Sequence, residues 1–299
     1  MSAAWAYWGV ILIWSTTPLA IDWSVEPGVD WLFALALRMW GGLVIAFVFL
    51  AVLRERFPLD RRAWHAYVAA ALGVYLSMLL TYWAAQHLSS GVLAVVFGLT
   101  PFFTSLLAGV GLGERLTWNK ILGMLLGFGG LWLFFHDQLT LGDWGWIAVM
   151  VMALSTFLHA LSTVWVKRVG AQVSGLAVTA GALLLSAPLY ALSWVILGVE
   201  WPQTLAPRTL GAIAYLAVVG SVLGFFLYFH ALRVLPASRM GLIPLLTPLL
   251  AVSLAMILND EHFTPMAWAG FASVMAGLLL HESAALRRWG VSRMKGRSI

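Results

Sequence analysis

The stretch "LTPFFTSLLAGVGLGERLT", Leu99 to Thr117, is written a second time 147 residues later as "LTPLLAVSLAMILNDEHFT", Leu246 to Thr264. Sliding the chain against itself by that offset superposes Leu99-Thr100-Pro101 on Leu246-Thr247-Pro248 and Leu107-Ala108 on Leu254-Ala255. The same frame then pairs Glu114 with Glu261, Thr117 with Thr264, Gly123 with Gly270 and Gly130 with Gly277. Leucine and alanine coincide often in apolar sequence. Thr-Pro, Glu-x-x-Thr and paired glycines in one frame mark an internal duplication. The match is plain over three predicted helices and is extended by inference to five, because the first two helices of each half align less clearly.

Composition says where such a repeat lives. The chain has 299 residues, 62% hydrophobic and only 10% charged, with mean hydropathy +0.92, whereas soluble domains carry about 25% charge. Ten mainly apolar runs, at 3–22, 31–53, 63–86, 91–112, 118–135, 144–166, 174–197, 209–232, 238–258 and 265–284, are each near the roughly 20 residues that cross a bilayer. Segments such as "LGVYLSMLLTYWAA" are continuously apolar rather than alternating, which selects helices over a β-barrel. The expected fold is all-α: a polytopic membrane protein of ten transmembrane helices in two five-helix repeats, 1–137 and 138–286, with a basic tail at 287–299. Five crossings per copy make the second copy enter from the opposite side, so the repeats are inverted. Such an architecture puts a site between the halves near the midplane and opens it to each side in turn.

Charge distribution sets the orientation. With both termini cytoplasmic, Arg54, Arg56, Arg61, Arg62, Arg115, Lys120, Lys167, Arg168, Arg233, Arg239 and the tail face inward, leaving Arg208 outside and Arg38 within a helix. Asp22, Glu26, Asp30, Asp137, Asp143, Glu200, Asp260 and Glu261 fall on the far face. The net charge of +5 is thereby a membrane signature, with no call for nucleic acid, and the tail is an anchor to anionic lipid. The amino terminus has no basic residue before its apolar run and is expected to be a retained helix rather than a cleaved signal. There is no cysteine, so thiolate metal sites and disulfides are excluded.

The pattern P-x(5)-LA, then GE-x-L-T, then G-x(6)-G, repeated in a ten-helix chain, resembles the EamA-type transporters of the drug/metabolite transporter superfamily. "RMWGGLVIAFVFL" and "LSTFLHALSTVWVKRV" extend the resemblance over essentially the whole chain. The second copy departs from it with "NDEHFT" in place of "LGERLT", so its glutamate need not act as the first one does. The resemblance implies a bacterial inner-membrane metabolite carrier, with export of amino acids or related zwitterionic or amphipathic compounds as the expected activity. Nucleoside or drug-like substrates, and a non-transporting scaffold or sensor, are the alternatives. Protons are the candidate coupling ion, no cofactor is implied, and the oligomeric state is open.

Individual residues carry two readings each. Thr117 and Thr264 precede apolar helices and read as N-caps. Pro101 and Pro248 free backbone groups that lipid cannot satisfy, so they are either packing kinks or lie on a cavity as hinges. Met78 and Tyr82 share a helix face, as do Phe225, Tyr228 and Phe229, either as packing or as an aromatic cavity wall. Trp14 sits deep beside "STTP" and is a cavity candidate, whereas Trp5, Trp144 and Trp201 read as interfacial anchors. Ser155, His159, Ser162 and Thr163 form a polar strip at helical spacing. The hydroxyls can bond their own helix, but a histidine inside a span is a functional candidate, while His230 and His281 near helix ends can snorkel. Arg38 either snorkels, pairs with a carbonyl, or attracts a substrate carboxylate. No carboxylate lies deep in a span, no histidine–carboxylate spacing suits a metal, and no serine sits in a nucleophile elbow, so an enzyme reading finds no constellation.

The positive-inside assignment is checked by single-cysteine labelling in this cysteine-free chain. Cysteines replacing Arg61 and Lys167 should react only from the inside, and those replacing Glu26 and Asp260 only from the outside. The reverse pattern overturns the orientation.

Overall fold

A computed structural model of the chain describes residues 3–114, 116–136, 144–169, 173–234 and 243–283. Arg115, Asp137, Asp143, Arg239 and the basic tail lie outside the described residues. The elements in chain order are α1 (Ala3–Ser24), α2 (Trp31–Val52), α3 (Arg61–Ala85), α4 (Ser90–Leu112) and α5 (Trp118–His136). They continue as α6 (Gly145–Val169), α7 (Gly175–Leu197), α8 (207–234), α9 (Ile243–Leu258) and α10 (Pro265–His281), and no strand occurs among the described residues. Seven of these, α2 through α8, are long and apolar enough to cross a membrane by length and composition, and α9 and α10 are shorter apolar helices.

Helix starts follow local chemistry. Asp30 accepts hydrogen bonds from the amides of Leu32 and Phe33, and Asp60 from those of Arg62 and Ala63. Ser174 accepts from Ala177, and Thr264 accepts from Ala267 ahead of Pro265. Each side chain satisfies amides that have no partner within the helix. Gly113 ends α4 in the left-handed region at φ 70, and its repeat mate Asp260 occupies the same region at φ 49. The backbone turn is therefore duplicated even where "LGERLT" became "NDEHFT"; aspartate is among the few side chains that tolerate this conformation.

Contacts between helix ends sort them into two groups. At one end, Trp23 of α1 donates to Asn259 Oδ1 (3.1 Å), Asn259 donates to Asp22 Oδ2 (2.9 Å), and Arg208 at the start of α8 donates to Glu26 (2.6 Å). At the other, Ser174 before α7 bonds Glu55 after α2, and Lys167 of α6 lies 3.7 Å from Glu114 after α4. The helices thus alternate in direction.

Two pairs of residues touch their own repeat mates. Trp40 Nε1 donates to the Ala187 carbonyl (3.2 Å) and Ser273 Oγ donates to the Leu126 carbonyl (3.0 Å), each across 147 positions. A residue that contacts its equivalent sits beside the symmetry axis. On either side of the second contact α5 and α10 pack antiparallel, with Gly123 on Gly277 and Gly130 on Gly270, a pattern that exchanging the repeats leaves unchanged. A Cβ on Gly123 would come 2.6 Å from the Gly277 oxygen, and one on Gly130 would come 2.7 Å from the Gly270 oxygen. Only glycine permits this approach. The repeats are therefore inverted and meet backbone to backbone. His281, expected to snorkel, is instead buried at this contact beside Phe102, with Nδ1 2.9 Å from Glu282.

Gly130→Ala should force the two helices apart and destabilise the fold by about 1–3 kcal/mol. Gly129→Ala meets nothing within 4 Å and should be neutral. Thermal unfolding in detergent compares them, and equal midpoints would show that the close contact does not matter.

Candidate functional site

The hydroxyl-rich "STTP" of α1 shapes one wall of the central space. Pro18 has no amide to donate to Trp14, while Ser15 donates to the Ile11 carbonyl (2.6 Å) and Thr17 to that of Ile13 (2.7 Å). Back-bonding hydroxyls ahead of a proline bend a helix. Trp14 projects into a cavity that also meets α2, α3, α4, α6 and α8, and so lies between the repeats. Its volume is about 60 Å³ measured at the centres of water-sized spheres, room for a handful of waters at roughly 10–15 Å³ each.

Arg38 reaches this cavity from α2 and is only 1% exposed. It does not snorkel. Nε donates to Ser221 Oγ (2.9 Å) and Nη1 to the Tyr82 hydroxyl (3.2 Å). Ser221 lies in a π-helical segment, Leu216–Leu223, set in α8 between Pro207–Tyr215 and Gly224–Val234. Gly220 in that wide turn leaves space against the guanidinium, since a Cβ there would stand 3.5 Å from Nη2. The first repeat carries the same irregularity at Gly73–Ser77 of α3, and Gly73 is the mate of Gly220 at the 147-residue offset. π turns in otherwise regular helices concentrate at functional sites. Among the described residues no carboxylate forms an ion pair with Arg38.

The polar strip of α6 divides. Ser155 donates to the Ser77 carbonyl (2.7 Å) and meets Thr81 Oγ1 (2.7 Å), and Ser162 donates to the Ala69 carbonyl (2.7 Å). Both hold α6 to α3. Thr163 bonds its own helix at the His159 carbonyl (3.0 Å) and the Tyr228 hydroxyl (2.8 Å). His159 alone of the four lines the cavity.

Of the residues singled out from sequence, Trp14, Arg38, Met78, His159 and Phe225 line the cavity. Tyr82 and Tyr228 stand behind it, one on Arg38 and the other 4.7 Å from the Trp14 ring, and Phe229 stacks on Phe225. Pro101 and Pro248 are not among the lining residues: Pro101 starts the second half of α4, and Pro248 packs against Gly98, where a Cβ would come within 2.7 Å of its ring. Thr17, Thr81, Phe97 and Met152 join the lining unannounced. Only the hydroxyls could have been found, as polar residues facing Arg38 and His159 along their helices.

Glu261 serves as a clamp at one end of the cavity. It accepts from Ser89 Oγ (2.7 Å) and from the amides of Ser90 (2.9 Å) and Gly91 (3.1 Å), capping α4 from another repeat. Among the described residues its mate Glu114 has the 3.7 Å, half-exposed pair with Lys167.

Fold and cavity together define an inverted-repeat membrane transporter. The profile of the EamA-like transporter family matches residues 1–136 and again 146–281, and the chain belongs to that family. It is 27% identical, over 90% of its length and 89% of the relative's, to an S-adenosylmethionine/S-adenosylhomocysteine transporter of Chlamydia muridarum. It is 26% identical, over 99% of its length and all of the relative's, to a protein named as a terminal-alkyne amino-acid exporter of Streptantibioticus cattleyicolor. A crystal structure at 21% identity superposes with TM-score 0.70 over 95% of this chain and 98% of the other, which shows a shared fold.

Glu261→Gln should weaken the cap of α4 and lower stability by about 1–3 kcal/mol, the cost of impairing a charge-assisted cluster. Glu114→Gln should change little, about 0–1 kcal/mol for an exposed pair. Melting midpoints of the two purified variants provide the check; equal effects would show that the clamp adds nothing beyond a surface charge.

Proposed function

We propose that the protein exports amino acids or related small zwitterionic metabolites across a bacterial inner membrane by alternating access. In this reading the chain crosses ten times in two units, 1–137 and 138–286, with both termini and the tail 287–299 cytoplasmic, and protons are the coupling ion. One observation carries the substrate class: a permanent cation, Arg38, is 1% exposed on the cavity with no carboxylate paired to it among the described residues. A buried charge held only by two hydroxyls is well suited to an incoming anion, and a guanidinium grips a carboxylate at two points. Trp14, Met78 and Phe225 offer apolar surface to the remainder of the molecule.

The names of the relatives support this reading. One is named an amino-acid exporter, and S-adenosylmethionine and S-adenosylhomocysteine are themselves α-amino acids bearing a large substituent. The shared element is the zwitterionic end, which is the part that Arg38 would recognise.

Counterflow into proteoliposomes, run with the twenty amino acids and then with the amide of the best one, tests the proposal. The wild type should prefer the acid over its amide. Arg38→Lys should reduce transport and Arg38→Ala should reduce it further, by about tenfold or more in apparent affinity, as expected for a lost charge-assisted bond. If the amide is carried as well as the acid, or Arg38→Ala leaves their ratio unchanged in folded protein, Arg38 is structural.

A further inference from the structure

His159 is the one group in the cavity whose chemistry the carboxylate reading leaves unused. It is 4% exposed, it lines the same cavity as Arg38, and neither Nδ1 nor Nε2 has a hydrogen-bond partner among the described residues. Buried polar groups are bonded in the large majority of cases, and a histidine with both nitrogens idle stands out as an exception. Three rings surround it, Phe97 at 5.0 Å, Trp14 at 5.8 Å and Tyr228 at 5.9 Å between centroids. The Tyr228 hydroxyl, which could have bonded the imidazole, is joined to Thr163 instead.

Repeat symmetry adds a second, independent observation. Gly73 and Gly220 are mates, each opening one of the two π turns, or lying within it, at the cavity. A Cβ on Gly220 would meet Arg38 Nη2 at 3.5 Å, and one on Gly73 would meet His159 Nδ1 at 3.6 Å. Equivalent glycines thus lie beside Arg38 in one half and beside His159 in the other. The two repeats offer unlike groups, a permanent cation and a base, from matching positions of one site.

We propose that His159 is the second recognition point of the substrate site: its free lone pair accepts a hydrogen bond from the substrate's ammonium group, and a proton competes for that lone pair. The inference rests on the zwitterion reading above. Neutral imidazole carries one donor and one acceptor, whereas imidazolium carries two donors and no acceptor. One nitrogen can therefore hold the substrate's N–H or a proton, but not both. Of the groups that line the cavity or touch the imidazole, Arg38 of α2 is the charged one and Tyr228 of α8 the other titratable one. α1, α3 and α4 present aromatic, hydroxyl, aliphatic and thioether groups, and no carboxylate of the described residues lines the space. Substrate loading displaces the proton to water on the open side, and reprotonation after release on the other side returns it. The stoichiometry is one substrate against one proton, the arrangement by which an inward proton gradient drives export.

The test uses the amino acid giving the largest counterflow, its amide, and its deaminated acid, with the full-length protein in liposomes between about pH 4 and 7.5, a range wide enough for either a free or a buried imidazole to titrate. In the wild type the deaminated acid should bind about tenfold or more weakly, and amino-acid affinity should fall toward acid pH. His159→Gln keeps a carbonyl acceptor but cannot titrate, so it should retain the preference for the amine and lose the pH dependence. His159→Phe should lose both. A wild type that carries the deaminated acid as well as the amino acid overturns the proposal, as does a His159→Gln variant with an unchanged pH profile. The second arm stands even if His159→Phe does not fold. Should the amide match the acid while the amine is still discriminated, the failure belongs to Arg38 and not to His159. Absence of counterflow with every amino acid overturns both readings.

Discussion

A guanidinium with 1% of its surface exposed must be solvated by protein, and the middle of this bundle is organised around that requirement. Inserting an arginine at the centre of a span costs on the order of 2.5–3.5 kcal/mol, and hydrogen bonds to a charge return roughly 1.5–3 kcal/mol each. Ser221 and Tyr82 supply two such bonds from α8 and α3. Those two helices belong to different repeats, so the charge on α2 draws the halves together at the cavity. Ser221 can reach Nε where α8 widens into a π turn, with Gly220 of the same turn beside the guanidinium. Local irregularity in one helix is thus the condition for charge burial in another.

The glycine contact of α5 and α10 has a different role. It joins the repeats where no polar group is needed, by backbone approach alone. A close seam at one place and a polar cavity at another suit the alternating access proposed above. The remaining asymmetry lies in the loops after α4 and α9. Their backbone turns are alike, at Gly113 and Asp260, yet Glu261 accepts from two hydroxyls and two amides at the start of α4 while, among the described residues, Glu114 makes one long surface pair. The same written signal has taken on unequal duties in the two copies, since a carboxylate acts through whatever donors the opposite half brings to it.

The fold was largely legible. Apolar runs gave the helices, Thr264 at the edge of one became the cap expected of it, and the 147-residue register marked the four glycines that meet, although each touches the other glycine of the opposite helix and not its own mate. The site was legible in part. Arg38 and His159 stand out because charge and imidazole are rare in oily helices. The hydroxyls beside His159 had the same spacing but another fate: Ser155 and Ser162 bond the backbone of α3, which helical periodicity cannot distinguish from facing a cavity. Pro101 and Pro248 were conspicuous for the bonds they free, yet neither lines the cavity, and the Phe97 carbonyl that Pro101 leaves open accepts from the Thr100 hydroxyl.

By itself the sequence determined the membrane class, the duplication and the presence of two unusual polar groups, since each follows from composition or from register along one chain. The tertiary structure decided that Arg38 and His159 line one cavity, that one is bonded to Ser221 and Tyr82 while the other has no partner, and that mate glycines stand against both. These are relations between residues more than a hundred positions apart. They depend on how helices rotate and widen against one another, and no local pattern encodes a rotation.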